Sequence, residues 1–341
     1  MHPFLNWKIL PKTLAPLNQS FVELAAFLAV FLLVALSMAV RRRRQAWRHV
    51  VQVLSIVLFF FIISSCLGVF GLIRNAIHGI QWAGKDDLQA FYFLATTAAI
   101  ISLTFVFGPV FCGWVCPTGA LQEFLHMLLR RPPGVPMRKA RAKAVAAAVA
   151  FGFLGYTAVV TVVFSTRRPM LEDAAALWAA ALLVLLLFAV LSPAADGAFR
   201  VLRYASLALV VGLTIAGINI TSPVHFVFTN VHDWASLLST LAIMFASLAV
   251  SRSFCRYLCP FGLLCGLAGT KAIRSIELVA ERCTGCNACA RVCGTACIKK
   301  GKIERTACIM CLACVDACPE GALVVRDNLG PALGRVEEAA P

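Results

Sequence analysis

Charge is what this sequence has least of. Only 14% of its 341 residues are Asp, Glu, Lys or Arg, while 60% are apolar; ordinary soluble domains carry about 25% charged residues. That shortage excludes a soluble enzyme domain, and the apolar excess excludes a disordered chain. Acidic residues are the scarcer sign, 16 against 31 Lys and Arg, for a formal charge of +15. In so apolar a chain a basic excess marks cytoplasmic loops beside a membrane rather than a nucleic-acid surface, so no nucleic acid is expected as a partner. Histidine is also sparse. His49, His78, His126, His225 and His232 fall near the ends of apolar runs or in loops and His2 is terminal. No facing pair lies inside a span to hold a haem, and none is expected. Neither GxGxxG before a helix nor GxxxxGK(S/T) occurs, so nucleotide binding has no support.

What the sequence has in abundance is long apolar runs. A helix needs about 20 apolar residues to cross a bilayer. Seven stretches qualify: Ser20–Val40, Val50–Ile73, Leu88–Phe111, Val145–Phe164, Ala174–Leu191, Tyr204–Ile220 and Trp234–Val250. The short gap Ser192–Arg203 makes a re-entrant hairpin the rival count there. Arg41–Arg44 with Arg48, then Arg130–Lys143, then Arg252–Arg274 follow spans one, three and seven. The intervening loops are poor in Lys and Arg, or offset by Asp86 and Asp87. The asymmetry places the N-terminus outside and the C-terminus in the cytoplasm. The main positive cluster follows the first run instead of preceding it, which argues against a cleavable signal peptide. Pro132–Pro136 reads as a stiff connector in a basic loop, and that loop suits an anionic leaflet. His78, His225 and His232, with Asp86, Asp87 and Asp233, gather on the outer side; solvated loop residues are the plain reading, a proton relay the sharper one.

Cysteine is the second excess. Nine of the 15 lie between Cys283 and Cys318, which is cofactor density rather than core density. Cys283, Cys286, Cys289 and Cys293 follow one spacing, and Cys308, Cys311, Cys314 and Cys318 repeat it at a constant offset of 25 residues. Three thiolates at two-residue gaps wrap three corners of an iron–sulfur cube, and the distant fourth closes the cube of the other half. The spacing assigns Cys283, Cys286, Cys289 and Cys318 to one [4Fe–4S] cluster and Cys293, Cys308, Cys311 and Cys314 to a second. Zinc is the competing occupant of CxxC pairs, and the duplicated order disfavours it. Gly294 stands where a proline is expected after Cys293; Cys297, just beyond, reads as a small buried hydrophobe, with a spare ligand as the alternative. Lys299, Lys300, Lys302 and Arg305 make the link between the halves basic, either a solvated loop or a patch for an acidic partner.

A different cysteine pattern occurs twice at cytoplasmic span ends. Phe111–Leu121 and Phe254–Leu264 both read F-C-x3-C-P-x-G-x-L, 143 residues apart. Residues four apart share a helix face, and the proline ends regular helix before the second cysteine while opening a new one. Cys112 and Cys116, with Cys255 and Cys259, are therefore candidate redox or metal sites where spans meet the cytoplasm. If the two spans pack together the four sulfurs form one site, for a metal, a redox disulfide or a further cluster. Tight turns made with small residues are the bland account. Cys66 and Cys265 lack partners at ligand spacing and read as packing residues.

Two CxxxCP motifs, Gly119–Glu123 after the first, Cys255–Pro260 in the second, and a ferredoxin tail together resemble the NapH/NosR/CcoG-type membrane polyferredoxins. The resemblance covers spans two, three, six and seven and the tail, roughly half the chain. It implies a membrane protein that passes electrons between the quinone pool and a reductase or maturation system; some of the group are linked to copper reduction. The chain departs from the group in having no long outer loop for a flavin domain, only a short segment after the ferredoxin, and more spans than a minimal core.

The expected fold is an all-α polytopic membrane domain of about seven helices followed by a small α+β two-cluster ferredoxin. Residues 1–19 are an extracytoplasmic segment, 20–274 the transmembrane domain, 275–325 the ferredoxin and 326–341 a tail. The expected function is electron relay in a bacterial inner membrane, multi-pass, with the ferredoxin domain cytoplasmic. Its cofactors are two [4Fe–4S] clusters, with an extra metal or cluster at the CxxxCP cysteines, and its partners are lipid, a quinone or quinol and a redox protein. A copper reductase acting at the CxxxCP cysteines is the alternative, since soft thiolates suit Cu(I); a membrane anchor with structural clusters is a third reading. Whether the chain is itself an enzyme is open at this point.

Overall fold

Helices dominate wherever the computed structural model describes the chain, with strands only near its end. The residues described are 28–34, 44–58, 87–129, 200–215, 234–299 and 301–327. Their packing divides the chain into two compact units, one made of Met1–Leu5, Ser64–Arg74 and Leu121–Pro260, the other of Asn6–Ile63, Asn75–Ala120 and Phe261–Pro341. The helices in chain order are α1 (Arg44–Ile56), α2 (Asp87–Phe107), α3 (Pro117–Leu129), α4 (Leu202–Ile215), α5 (Trp234–Ala249), α6 (Ser253–Tyr257), α7 (Pro260–Gly269), α8 (Ala288–Val292) and α9 (Ala313–Asp316). The strands are β1 (Arg274–Leu278), β2 (Ile298–Lys299), β3 (Lys302–Ile303) and β4 (Leu323–Asp327).

Among the described residues no helix is long and apolar enough to cross a membrane. The expected spans Val145–Phe164 and Ala174–Leu191 lie outside the described residues, as do Cys66, the stiff connector Pro132–Pro136, and the His78, His225, His232, Asp86 and Asp233 cluster. Helices α2 and α5 occupy the third and seventh expected spans. The third ends four residues before Phe111, because Gly108 takes φ 77 and Pro109 follows it; proline disfavours helix in the residue before it.

Polarity in these helices runs opposite to that of a helix in water, whose apolar stripe faces inward. In α1 the side chains of Arg44, Arg48, Gln52 and Ser55 are buried, while Trp47, Val50, Val53 and Leu54 are exposed. In α5 Thr240 and Ser247 are buried and Leu241 and Phe245 exposed. One expectation is corrected here. Arg44 and Arg48, expected in the loop after span one, lie instead in α1 and are 7% and 3% exposed.

The ferredoxin portion closes on itself through its ends. Strand β1 pairs antiparallel with β4, Arg274 opposite Asp327 through Leu278 opposite Leu323. Between them β2 and β3 form a small antiparallel hairpin turned by Gly301 at φ 78. Buried Ile276, Ile298, Leu323, Val324 and Val325 form its core. The 25-residue repeat is visible in the backbone. Gly285 and Met310, Asn287 and Leu312, and Ala296 and Gly321 are equivalent pairs, and all six residues have positive φ.

Candidate iron–sulfur sites and the CxxxCP turns

The left-handed residues shape both cysteine loops. Alternating right- and left-handed backbone turns successive N–H groups toward one concavity, a natural cradle for anionic groups. In the first loop Cys283, Cys286, Cys289 and Cys318 line a single recess with Thr284, Gly285, Asn287 and Ala288. Cys318 comes from the other half, as the exchange of fourth ligands requires. Burial pushes the Cys289 thiol up, and the nearby Cys318 and Cys283 add to the shift. Hydrogen bonds from the Ala288 backbone and from Thr284 hold the Cys286 thiol below its usual range.

The second loop gathers thiols more deeply. Burial pushes the Cys314 thiol up, with Cys311, Cys293, Cys297 and Cys289 as its charged neighbours in that order. Cys293 is thus among the neighbours of Cys314. Its Sγ is 3.4 Å from that of Cys297, whose backbone N–H donates to it at 3.3 Å. That contact, then burial, raises the Cys293 thiol. At Cys297 the hydrogen bond from Cys293 lowers the thiol's pKa, but the Cys308 contact and burial prevail and push it up to about 12. Cys297 is 4% exposed, the buried position expected of it, and it stands between two of the expected ligands.

Among the described residues no group of three or more His, Cys, Asp or Glu side chains is close enough to hold a metal ion. A cube makes a different demand, because it spreads four thiolates over four separate corners. The donor set fits it: soft sulfur ligands, with one set of four, drawn from both halves, around one recess. Buried thiols would bind iron as thiolates, releasing their protons to solvent.

The two CxxxCP segments adopt the same local turn. Residues Phe111–Val115 form one wide helical turn closed by the Cys116 N–H on the Phe111 carbonyl at 2.8 Å. In the second segment the Cys259 N–H reaches the Phe254 carbonyl at 2.9 Å across the same five-residue interval. Pro117 and Pro260 then open α3 and α7, as proline at a first helical position does. In each motif the first cysteine, Cys112 or Cys255, is half-buried and the second, Cys116 or Cys259, is buried. Cys112 and Cys116 belong to one unit, Cys255 and Cys259 to the other. Cys265 is 3% exposed, as a packing residue should be.

Several residues that the spacing did not single out hold these turns. Gln122, fully buried, accepts the Phe254 N–H on Oε1 at 3.0 Å and offers Nε2 to Cys255 Sγ at 3.6 Å. Beside it Arg252, 1% exposed and at φ 52, pairs with Glu123 at 2.6 Å. Gln122 and Glu123 lie in the Gly119–Glu123 segment, so their identity was in view, though not their work on the second turn. The first turn is held from α1. Arg48 donates to the Gly113 carbonyl at 3.2 Å and to Gln45 Oε1 at 2.8 Å, and Gln52 also donates to the Gly113 carbonyl, at 3.0 Å. The Ser55 hydroxyl donates to the Val115 carbonyl. In the ferredoxin, Arg305 and Arg326 both pair with Glu277, at 3.2 and 2.9 Å, so Arg305 is not part of a free basic patch.

Known proteins bear on these sites directly. A family described as a 4Fe-4S binding domain matches residues 89–136 and 233–276, the two segments that carry the CxxxCP motifs. A second 4Fe-4S binding domain matches residues 302–324, within the second ferredoxin half. An uncharacterized protein of Methanocaldococcus jannaschii is 25% identical over 284 residues, 82% of this chain and 94% of that protein. The putative electron transport protein YccM of Escherichia coli is 31% identical over 103 residues, 30% of this chain and 29% of YccM. The regulatory protein NosR of Pseudomonas aeruginosa is 26% identical over 271 residues, 75% of this chain and 30% of NosR. No solved structure matches. These likenesses support iron–sulfur cofactors and electron transport through 4Fe–4S domains.

Proposed function

We propose that this chain, similar to NirI, NosR and YccM, is a polyferredoxin of the NosR/NirI type that relays electrons between the quinone pool and a cytoplasmic-side redox protein through two [4Fe–4S] clusters. Cys283, Cys286, Cys289 and Cys318 hold one cluster; Cys293, Cys308, Cys311 and Cys314 hold the other. The clusters supply one-electron carriers of tunable potential. The chain's part is to hold the two sets of thiols, to cover one of them, and to join them to a membrane-edge motif. The observation that carries this reading is that the first CxxxCP turn and the ferredoxin loops belong to one compact unit. The Trp114 indole N–H donates to the Met310 carbonyl at 3.0 Å, between Cys308 and Cys311.

The chain lies in the bacterial inner membrane, with its N-terminus outside and the ferredoxin on the cytoplasmic face. The inverted polarity of α1 and α5 supports this placement, since apolar faces turned outward suit lipid. The cysteine pair of each motif, Cys112 with Cys116 and Cys255 with Cys259, has an intermediate redox or metal role. Their recurrence in two segments that each match a 4Fe-4S binding domain supports giving them a cofactor role.

Anaerobic protein in lipid nanodiscs, mixed with a quinol, tests the relay. The iron–sulfur absorbance should bleach, and the double substitution Cys112→Ser with Cys255→Ser should abolish bleaching while both clusters stay in place. Full bleaching in the double variant would remove the CxxxCP cysteines from the path. No bleaching in the unsubstituted protein would end the quinol reading.

A further inference from the structure

The duplicated cysteine loops share a spacing and a backbone, yet their surroundings differ. Every residue from Ala280 to Asn287 is exposed, Cys283 and Cys286 included. None from Thr306 to Leu312 is, and Ala307, Met310 and Leu312 are buried. The residues between the ligands differ in kind: Thr284, Gly285 and Asn287 in the open loop stand where Ile309, Met310 and Leu312 stand in the covered one.

The cover is specific and comes from the first CxxxCP turn and α1. A Cβ added at Gly113 would collide with the Ile309 carbonyl oxygen and lie 3.4 Å from the backbone nitrogen of Cys311. Gly113 thus lets the turn reach the ligand loop backbone to backbone. Trp114, wholly buried, caps the Met310 carbonyl. Gln45 donates to the Cys311 carbonyl at 3.1 Å and to Asp316 at 2.7 Å. Arg48, 3% exposed, braces both Gln45 and Gly113. Gly266 makes a second backbone approach, where a Cβ would meet the Thr306 carbonyl.

We propose that the two cluster sites are unequal by construction. Gln45, Arg48, Gly113 and Trp114 close the site of Cys293, Cys308, Cys311 and Cys314 against the first CxxxCP turn. The site of Cys283, Cys286, Cys289 and Cys318 is left as the port where a water-soluble redox protein brings its own cofactor near. The inference rests on the ligand assignment above, and it fixes which site faces which neighbour. The four closing residues are positioning residues. They touch the loop that holds the cluster, and their effect is on its potential, its magnetic environment and its shielding.

The test uses the full chain in detergent, loaded anaerobically and then exposed to ferricyanide, a small water-soluble oxidant that degrades exposed cubes. About four of about eight iron atoms should leave several-fold faster than the rest. The EPR signal of the surviving cluster, after reduction with dithionite, should be the one altered by Trp114→Phe, which keeps an aromatic side chain and removes the N–H donor. Gly113→Ala should speed the slow phase toward the fast one. Loss of both cubes at one rate would overturn the proposal. So would a surviving signal that Trp114→Phe leaves untouched while it shifts the signal lost first. The readouts do not involve quinol, so a two-phase loss without quinol bleaching would retire the relay reading alone.

Discussion

The two halves of the ferredoxin portion keep one backbone and pursue opposite burial. Gly285 and Asn287 take positive φ in the open loop; both residue types tolerate that region. Met310 and Leu312 take the same conformation in the covered loop, at φ 49 and 60, where an ordinary side chain costs about 1–2 kcal/mol per residue. They are 2% and 1% exposed, and burying such a side chain is worth about 1.5–3 kcal/mol. Burial offsets the strain, the Met310 side chain packing beside Gly108. Duplication has preserved what the ligands need and changed what lies between them, making one loop a contact and the other a surface.

The comparison can be broken most severely at the exchanged ligands. Cys293→Ala should remove the closed cluster, leaving about four iron atoms per chain, with the EPR signal of the open cluster intact. Loss confined to the open cluster would show that the halves do not exchange ligands. Iron analysis and EPR on one sample decide it.

A smaller effect is expected where the two CxxxCP turns differ in support. The second depends on Arg252, buried and paired with Glu123. Glu123→Ala removes the carboxylate from that buried cation, which costs about 3–5 kcal/mol for a buried pair, and should lower the denaturation midpoint more than any change at an exposed pair. Exchanging loop residues sharpens the contrast between the halves. Gly285→Met introduces left-handed strain of about 1–2 kcal/mol with no cover to bury the new side chain, so the open cluster should be lost at lower denaturant while the closed one holds. The mildest change is Arg326→Ala, which removes one of two partners from Glu277 at a side chain 57% exposed. Surface pairs contribute about 0–1 kcal/mol, and a stability loss well above that would mean the β1–β4 edge depends on charge more than its exposure indicates.

Much of this was legible in the residues. The constant offset between Cys283–Cys293 and Cys308–Cys318 carries the duplication, which the backbone repeats at Gly285 and Met310, Asn287 and Leu312, and Ala296 and Gly321. The repeated turn at Cys112–Cys116 and Cys255–Cys259 was readable too, because proline and cysteine spacing are local signals. Gly285 and Asn287 announce their left-handed backbone; Met310 and Leu312 do not, since only tertiary cover makes that conformation tolerable. Arg44 and Arg48 misled for a related reason. A run of arginines after an apolar stretch has the form of a cytoplasmic loop, and nothing local reveals that Gly113, Gln45 and Asp316 await two of its members. Gln122 and Glu123 serve a turn more than a hundred residues away, which no single-sequence spacing encodes.

Reduction by quinol after ferricyanide has removed the open cluster tests the account most directly. With Cys293, Cys308, Cys311 and Cys314 holding the site against the first CxxxCP turn, the surviving cluster should still be reduced by quinol in nanodiscs, at the rate seen before the open cluster was removed. A surviving cluster that quinol no longer reduces would contradict the account, because electrons would then have to enter through the open site.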